Sequence, residues 1–230
     1  MRLLTLSFLL LLCGTSCRST LPAWKQNALV NLPERDQYFC EVALSSEFGR
    51  KYNKIRKWQQ PINLYLTGTE VPHLDRELDK IITELNDLVP TLSIARVFES
   101  EAANLTIFLG KGIDFARQFR PAKTQVEYNW GLVFIKYNLQ GKIKRGQVYV
   151  DVFRATDKVA QRHLLREELT QALGLLNDSQ QFPDSIFYQE WTLTTAYSEL
   201  DKWLIERLYE DDLKAGMKFK KVIEQLENKE

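Results

Sequence analysis

Histidine is nearly missing from this chain: His73 and His163 are the only 2 in 230 residues. A zinc centre of the common three-histidine kind cannot be built from them. Cysteine is almost as scarce, at 3, and Cys13 and Cys17 both fall at the end of the first apolar segment. Cys40 is the only other one, which excludes a multi-bridge disulfide framework and a cysteine-rich zinc site. Neither sign of charge dominates: setting Arg2 aside brings the 31 Lys and Arg level with the 30 Asp and Glu. Nucleic acid is therefore not an expected partner, and the basic group Arg50, Lys51, Lys54, Arg56 and Lys57 reads as a solvated face. No G-x-S-x-G elbow, glycine-rich phosphate loop or C-x-x-C pair occurs. Serine-hydrolase, P-loop and dithiol chemistry of the usual kinds are thereby removed.

One long apolar run exists, Leu3 to Cys13, broken only by Thr5 and Ser7 and followed by Gly14-Thr15-Ser16. With Arg2 before it, this is the order of a secretory signal peptide, read over 1–16; a spanning helix needs about 20 apolar residues. Cys17, directly after small residues, is the mark of a bacterial lipoprotein, in which the cysteine is acylated and becomes the new N-terminus. Lipid chains there would fix the protein to a membrane with no transmembrane helix. Gly14 stands where leucine is usual, so an ordinary signal peptide cleaved nearby is the other reading. In the first case Cys40 is free or paired between chains; in the second a Cys17–Cys40 disulfide becomes possible. Arg18 differs from the aspartate of an inner-membrane retention signal, which favours the outer membrane of a two-membrane cell envelope. Residues 17–37, polar with Pro22 and Pro33, read as a tether, and 38–230 as one domain.

Within that domain, Phe39, Val42, Ala43 and Phe48 recur at helical spacing up to Gly49. Residues 55–58 and 62–66 read as one strand interrupted at Pro61, an edge position or a bend. Leu74, Leu78, Ile81, Ile82, Leu85 and Leu88 share one face of a helix that Pro90 closes. Two further strands are expected at 94–97 and 105–109, the second buried on both faces. Trp130–Ile135 and Gly146–Val152 form an antiparallel hairpin. A long helix from Thr156 to Leu173 follows, with Thr156 as N-cap and Asp157 in its first turn. Helices from about Leu193 to Tyr209 and Met217 to Leu226 end the chain. The fold class is α+β: a mixed twisted sheet backed by helices, about 38–174, and a helical C-terminal part, about 175–230.

The most telling stretch is Glu167-Glu168-Leu169-Thr170-Gln171-Ala172-Leu173-Gly174-Leu175-Leu176-Asn177-Asp178. Against the zinc-peptidase pattern H-E-x-x-H-x-x-G-x-x-H it reads E-E-x-x-Q-x-x-G-x-x-N. In that pattern two histidines one helical turn apart point the same way, and the glutamate beside the first activates a zinc-bound water. Glu168 keeps the general-base position and Gly174 the turn, where the chain leaves the helix in a conformation costly for other residues. Glu167, Gln171 and Asn177 stand at the ligand positions, with Asp178 next. These donors are all oxygens, with one charge among the first three. Zinc is not expected, and at most a weak affinity for a divalent metal follows. Without a metal, Glu167, Glu168, Gln171 and Asn177 would form a polar network tying helix, turn and loop together. His163, one turn before Glu167, reads as an exposed flank residue, and His73 as local surface or a cap. Adjacent Glu167 and Glu168 diverge by about 100° on a helix, which argues against a glycosidase pair.

The run from Glu168 to Leu175, then Asn177-Asp178 and Ser185-Ile186-Phe187, resembles the signature of the bacterial family called domain of unknown function 2927. Glu47-Phe48-Gly49, Ile55-Arg56-Lys57-Trp58 with Pro61, and Leu208-Tyr209 with Gly216-Met217 support it. That family is in turn similar to the metzincin branch of zinc peptidases. Their turn of the form Ser-Ile-Met-Tyr is matched by Ser185-Ile186-Phe187-Tyr188, with Phe187 for methionine. Their closing helix, L-S-x-x-D-x-x-x-I-x-x-L-Y, is matched by Ser198, Asp201, Ile205 and Leu208-Tyr209. The resemblance implies a zincin-like fold, while the replaced ligands withhold the peptidase activity. The expected function is that of a lipid-anchored envelope protein whose domain binds or scaffolds. The partner is an envelope protein, or an extended peptide laid along the strand edge near Trp130 to Ile135. The alternative is an active hydrolase with an oxygen-ligated metal and Glu168 as general base.

Overall fold

The computed structural model describes residues 22–45 and 53–229. Cys17, the signal segment and Glu47-Phe48-Gly49 lie outside the described residues. At the centre are β2 (Ile62–Gly68) and β4 (Leu105–Gly110), with β3 (Ile94–Arg96) beside β2 and β6 (Lys142–Asp151) beside β4, all parallel. β1 (Lys57–Trp58) pairs in parallel with the start of β6, and β5 (Gly131–Tyr137) pairs with β6 antiparallel. The Leu105-Thr106-Ile107-Phe108-Leu109 run suits β4, which has a parallel neighbour on each side and is buried along most of its length.

Helices back this mixed sheet, as its apolar pattern requires. α3 (Pro72–Leu88) starts with Pro72 in its first turn, where no intrahelical N–H is needed, and buries Leu74, Leu78, Ile81, Ile82 and Leu85. α5 (Lys158–Gln171) lies beside it. Arg166 of α5 is wholly buried, paired with Glu77 at 3.0 Å and with Glu84, its guanidinium 4.5 Å from the Tyr197 ring centre. A smaller cluster, Phe108, Phe115, Ala122, Val126, Leu132 and Tyr149, forms around α4 (Gly112–Gln118), with Phe115 and Tyr149 stacked at 4.9 Å. The sequence reading had no helix there.

Several expectations are corrected. Residues 22–37 are not a featureless tether: α1 (Ala23–Val30) occupies them and α2 (Glu34–Leu44) begins there. Pro22 and Pro33 each stand immediately before a helix, where a missing N–H costs nothing, and Leu29, Leu32 and Asp36 are buried. Cys40 of α2 is free and fully buried. Residues 55–66 form two strands with different neighbours, and β2 is internal, so Pro61 marks the bend between them. The cap of α5 is Asp157 rather than Thr156: its carboxylate accepts from Val159 N at 2.7 Å and Ala160 N at 3.1 Å. α6 (Glu199–Tyr209) starts later than expected, where Ser198 and Asp201 form a reciprocal capping box. α7 (Phe219–Glu227) follows.

Candidate functional site

β5 is the outer edge of the sheet, and its register decides what that edge offers. Asp151 N donates to Trp130 O at 2.7 Å, and Gly131 lies opposite Val150. Residues 130, 132, 134 and 136 therefore bond to β6, and the backbone N–H and C=O groups of Gly131, Val133 and Ile135 face away from the sheet. No strand pairs with them among the described residues. At the start of this edge opens a cleft of about 780 Å³, walled there by Trp130 and Gly131 and lined from α5 by His163, Glu167, Glu168 and Gln171.

The residues singled out in the carboxylate motif divide sharply. Glu168 lines the cleft and is 7% exposed. Its carboxylate lies so close to β5 that a Cβ on Gly131 would come within 2.2 Å of Oε1. Glycine at the start of β5 thus makes room for Glu168, a relation invisible at a separation of 37 positions. Gln171 Nε2 donates to Asp178 Oδ1 at 2.6 Å, and both line the cleft. Asn177 does not line it, and its Nδ2 donates to the Asp178 carbonyl at 2.5 Å. Of the expected polar network, therefore, Gln171 and Asp178 form the core, Asn177 braces the backbone behind them, and Glu167 turns to another partner.

That partner is His163, which is buried and not an exposed flank residue. Its Nε2 is 3.3 Å from Glu167 Oε2, and its Nδ1 is 2.7 Å from the Thr194 carbonyl. Burial lowers the pKa of His163, but the Glu167 carboxylate and the Thr194 carbonyl outweigh it and hold the imidazole above its ordinary 6.5. The contact therefore contributes stability in full below that ordinary value and loses it as pH rises through the raised one. An NMR titration is expected to place His163 above a histidine in an unfolded peptide. Glu167→Gln should bring it down; an unmoved midpoint would refute the pairing.

Behind the cleft, the turn Ser185-Ile186-Phe187-Tyr188 is fixed from below. Asp201, fully buried, accepts from Ser185 Oγ at 2.6 Å, from Ile186 N at 3.1 Å and from Ser198 N at 2.9 Å. Burial pushes its carboxyl up, and these hydrogen bonds only partly offset that. Tyr38 donates to Ser185 Oγ at 2.8 Å, so α2 is tied to the same turn. Ile186 and Phe187 enter the core, whereas Tyr188 lines the cleft. Gly174 turns the chain at φ 123°, with the Arg56 carbonyl where a side chain would be. Trp58 Nε1 bonds the Ala172 carbonyl at 2.9 Å and Tyr209 Oη the Leu173 carbonyl at 2.8 Å, which fixes the end of α5.

Zinc does not fit this donor set. The Gln171 amide is committed to Asp178, Glu167 to His163, and Asn177 to the backbone. Among the described residues, no three His, Cys, Asp or Glu side chains are grouped as they would be around a metal ion. The rim holds what sequence reasoning missed. Trp130 and Trp191 meet edge to face at 5.4 Å while 39% and 55% exposed, with Tyr128 and Leu193 nearby on the cleft wall. A tryptophan just before a strand and another in the stretch before α6 were the available signal. Arg154 secures the adjoining segment through Asp151 at 2.6 Å and the carbonyls of Val126 and Asn129.

No curated protein matches the chain in sequence. Among solved structures, one of myroilysin is 12% identical, covering 68% of this chain and 97% of that chain at TM-score 0.41. A second myroilysin structure is 10% identical, covering 83% of this chain and 96% of that chain at TM-score 0.43. Residues 33–228 match the family described as Protein of unknown function (DUF2927), and the chain belongs to that family.

Proposed function

We propose that this member of the family is a lipid-anchored cell-envelope protein whose peptidase-like cleft holds an extended peptide without cutting it. The observation that carries the reading is the Gln171–Asp178 hydrogen bond: the second ligand position of the zinc pattern holds an amide that gives its N–H to a neighbouring carboxylate, where the pattern needs a histidine nitrogen. The outward N–H and C=O groups of Gly131, Val133 and Ile135 supply a strand to pair with, as in recognition by strand addition. The anchor is Cys17, in the outer membrane of a two-membrane cell, with the domain in the periplasm or at the cell surface. Among the described residues no helix is long and apolar enough to cross a membrane. Acyl chains on Cys17 would supply the attachment.

Val133→Pro removes one outward N–H while leaving the bonds to β6 in place. It is expected to weaken peptide binding about ten-fold, read by fluorescence polarisation, with the thermal transition little changed. Unchanged binding in this variant would count against strand addition. Metal analysis of the purified protein gives the second arm, since stoichiometric zinc would overturn the non-catalytic reading. A metal-dependent hydrolase is the second reading, favoured by the retained place of Glu168 against Gly131 in the cleft. Its oxygen donors would have to come from Glu167, Gln171 and Asp178, released from the contacts they make with His163 and with each other. It requires peptide cleavage that chelators and Glu168→Ala both abolish.

A further inference from the structure

The cleft is strongly asymmetric in charge. Glu167, Glu168, Asp178 and Glu190 line it, with Asp157 at the start of α5. The one guanidinium among its lining residues, Arg154, is spent on Asp151 and on the carbonyls of Val126, Glu127 and Asn129. Even with His163 protonated, carboxylates outnumber free cations. The second feature is independent of charge: Trp130 and Trp191 stay exposed while packed edge to face against each other. Trp191 also stands 6.1 Å from the His163 ring, so the aromatic rim continues directly into the Glu167 pair. Exposed indole faces beside desolvated carboxylates attract the same kind of group, an ammonium or guanidinium, by cation–π attraction and by charge. A neutral or acidic side chain gains from neither. β5 joins this wall at its first residue, Gly131, and the side chains of a strand added to its edge would alternate between the two faces of the sheet.

We infer that the cleft selects an extended segment carrying a lysine or arginine, whose side chain passes the Trp130–Trp191 rim and ends among the Glu167 and Glu168 carboxylates. This rests on the reading of the cleft as a peptide site and names the chemistry of its ligand. The alternation of the added strand supplies the register: one basic residue points inward while its neighbours point to solvent or along β5. Charge of this sign on the cleft also speeds encounter with a basic segment and makes it salt-dependent.

The test uses the full-length protein in detergent and fluorescein-labelled octapeptides of alternating valine and serine, with one central position set to Lys, Arg, norleucine, Gln or Glu. The Lys and Arg peptides are expected to bind about ten-fold or more tightly than the Gln and Glu peptides. That margin should shrink as salt is raised and collapse in Glu167→Gln and in Trp191→Ala, with norleucine no better than Gln. Equal affinity for all five peptides, with Val133→Pro still weakening each, overturns the cation preference and leaves strand addition standing. No binding of any peptide overturns both. Because Glu167→Gln also touches His163, the conservative Glu190→Gln, on the loop wall of the cleft, serves as a second variant. Loss of the margin in neither variant would likewise overturn the inference.

Discussion

Asp201→Ala is expected to destabilise the protein by about 3–5 kcal/mol, since three donors lose a buried acceptor and each orphan costs about 1–3 kcal/mol before relaxation. In a domain of this size that lowers the melting temperature by about 6–20 °C. Urea or thermal unfolding followed by circular dichroism reads the change directly. Ser185 Oγ, Ile186 N and Ser198 N are the donors, and they belong to two elements, the Ser-Ile-Phe-Tyr turn and the capped start of α6. Asp201→Asn keeps one acceptor oxygen and should cost markedly less. If the alanine variant unfolds like the parent, the turn is held by packing of Ile186 and Phe187 alone. The site should feel the loss too: with Asp201 gone, Tyr188 is no longer fixed at the cleft wall, and peptide affinity falls along with stability.

Gly174→Ala carries the next largest effect. At φ 123° an L side chain is strained wherever it points, and the new Cβ would lie 1.9 Å from the Arg56 carbonyl oxygen, a backbone atom that cannot step aside cheaply. Strain of this kind costs about 1–3 kcal/mol by itself, and the clash adds to it, so a loss of about 3 kcal/mol or more is expected. Relief requires Arg56 to retreat, which pulls on β1 and on the Trp58 bond to Ala172. Trp58 fluorescence should therefore shift in the variant even under conditions where it remains folded. An unaltered melting temperature would mean that the turn relaxes without resistance from β1.

What the sequence disclosed follows the range of the forces involved. α3, β4 and the β5–β6 hairpin could be read because their apolar spacing is local and their ends are marked by proline, glycine or a polar turn. The turn at Gly174 was legible for the same reason, whereas Ser198 and Asp201 stood out only through the family resemblance and the box they form went unread. β1 and β2 were fused in the reading because nothing in residues 55–66 says that their partners differ; that is decided by β6 and β4, some 85 and 40 positions on. α4 was missed because it spans only Gly112–Gln118 and owes its place to stacking on Tyr149. In the site, the i, i+4 spacing of Glu167 and Gln171 put both on the cleft, and Glu168, about 100° round the helix, reaches it beside Gly131. His163 was misjudged as exposed because the Thr194 carbonyl that receives it, and the loop that covers it, lie 31 residues away. The Trp130–Trp191 rim joins residues 61 positions apart, beyond the reach of any periodicity.

Cys40 gives the fold a built-in clock. Its thiol has no measurable exposure, sits in the middle of α2 and is pushed far above its ordinary pKa by burial. A labelling reagent needs the thiolate and needs contact, and the closed domain offers neither. Label uptake at Cys40 therefore counts the moments when α2 leaves the core, and its rate reports that opening without a denaturant. A crosslink between two chains through this cysteine would be a record of the same event, formed while one domain was open and trapped when it failed to close.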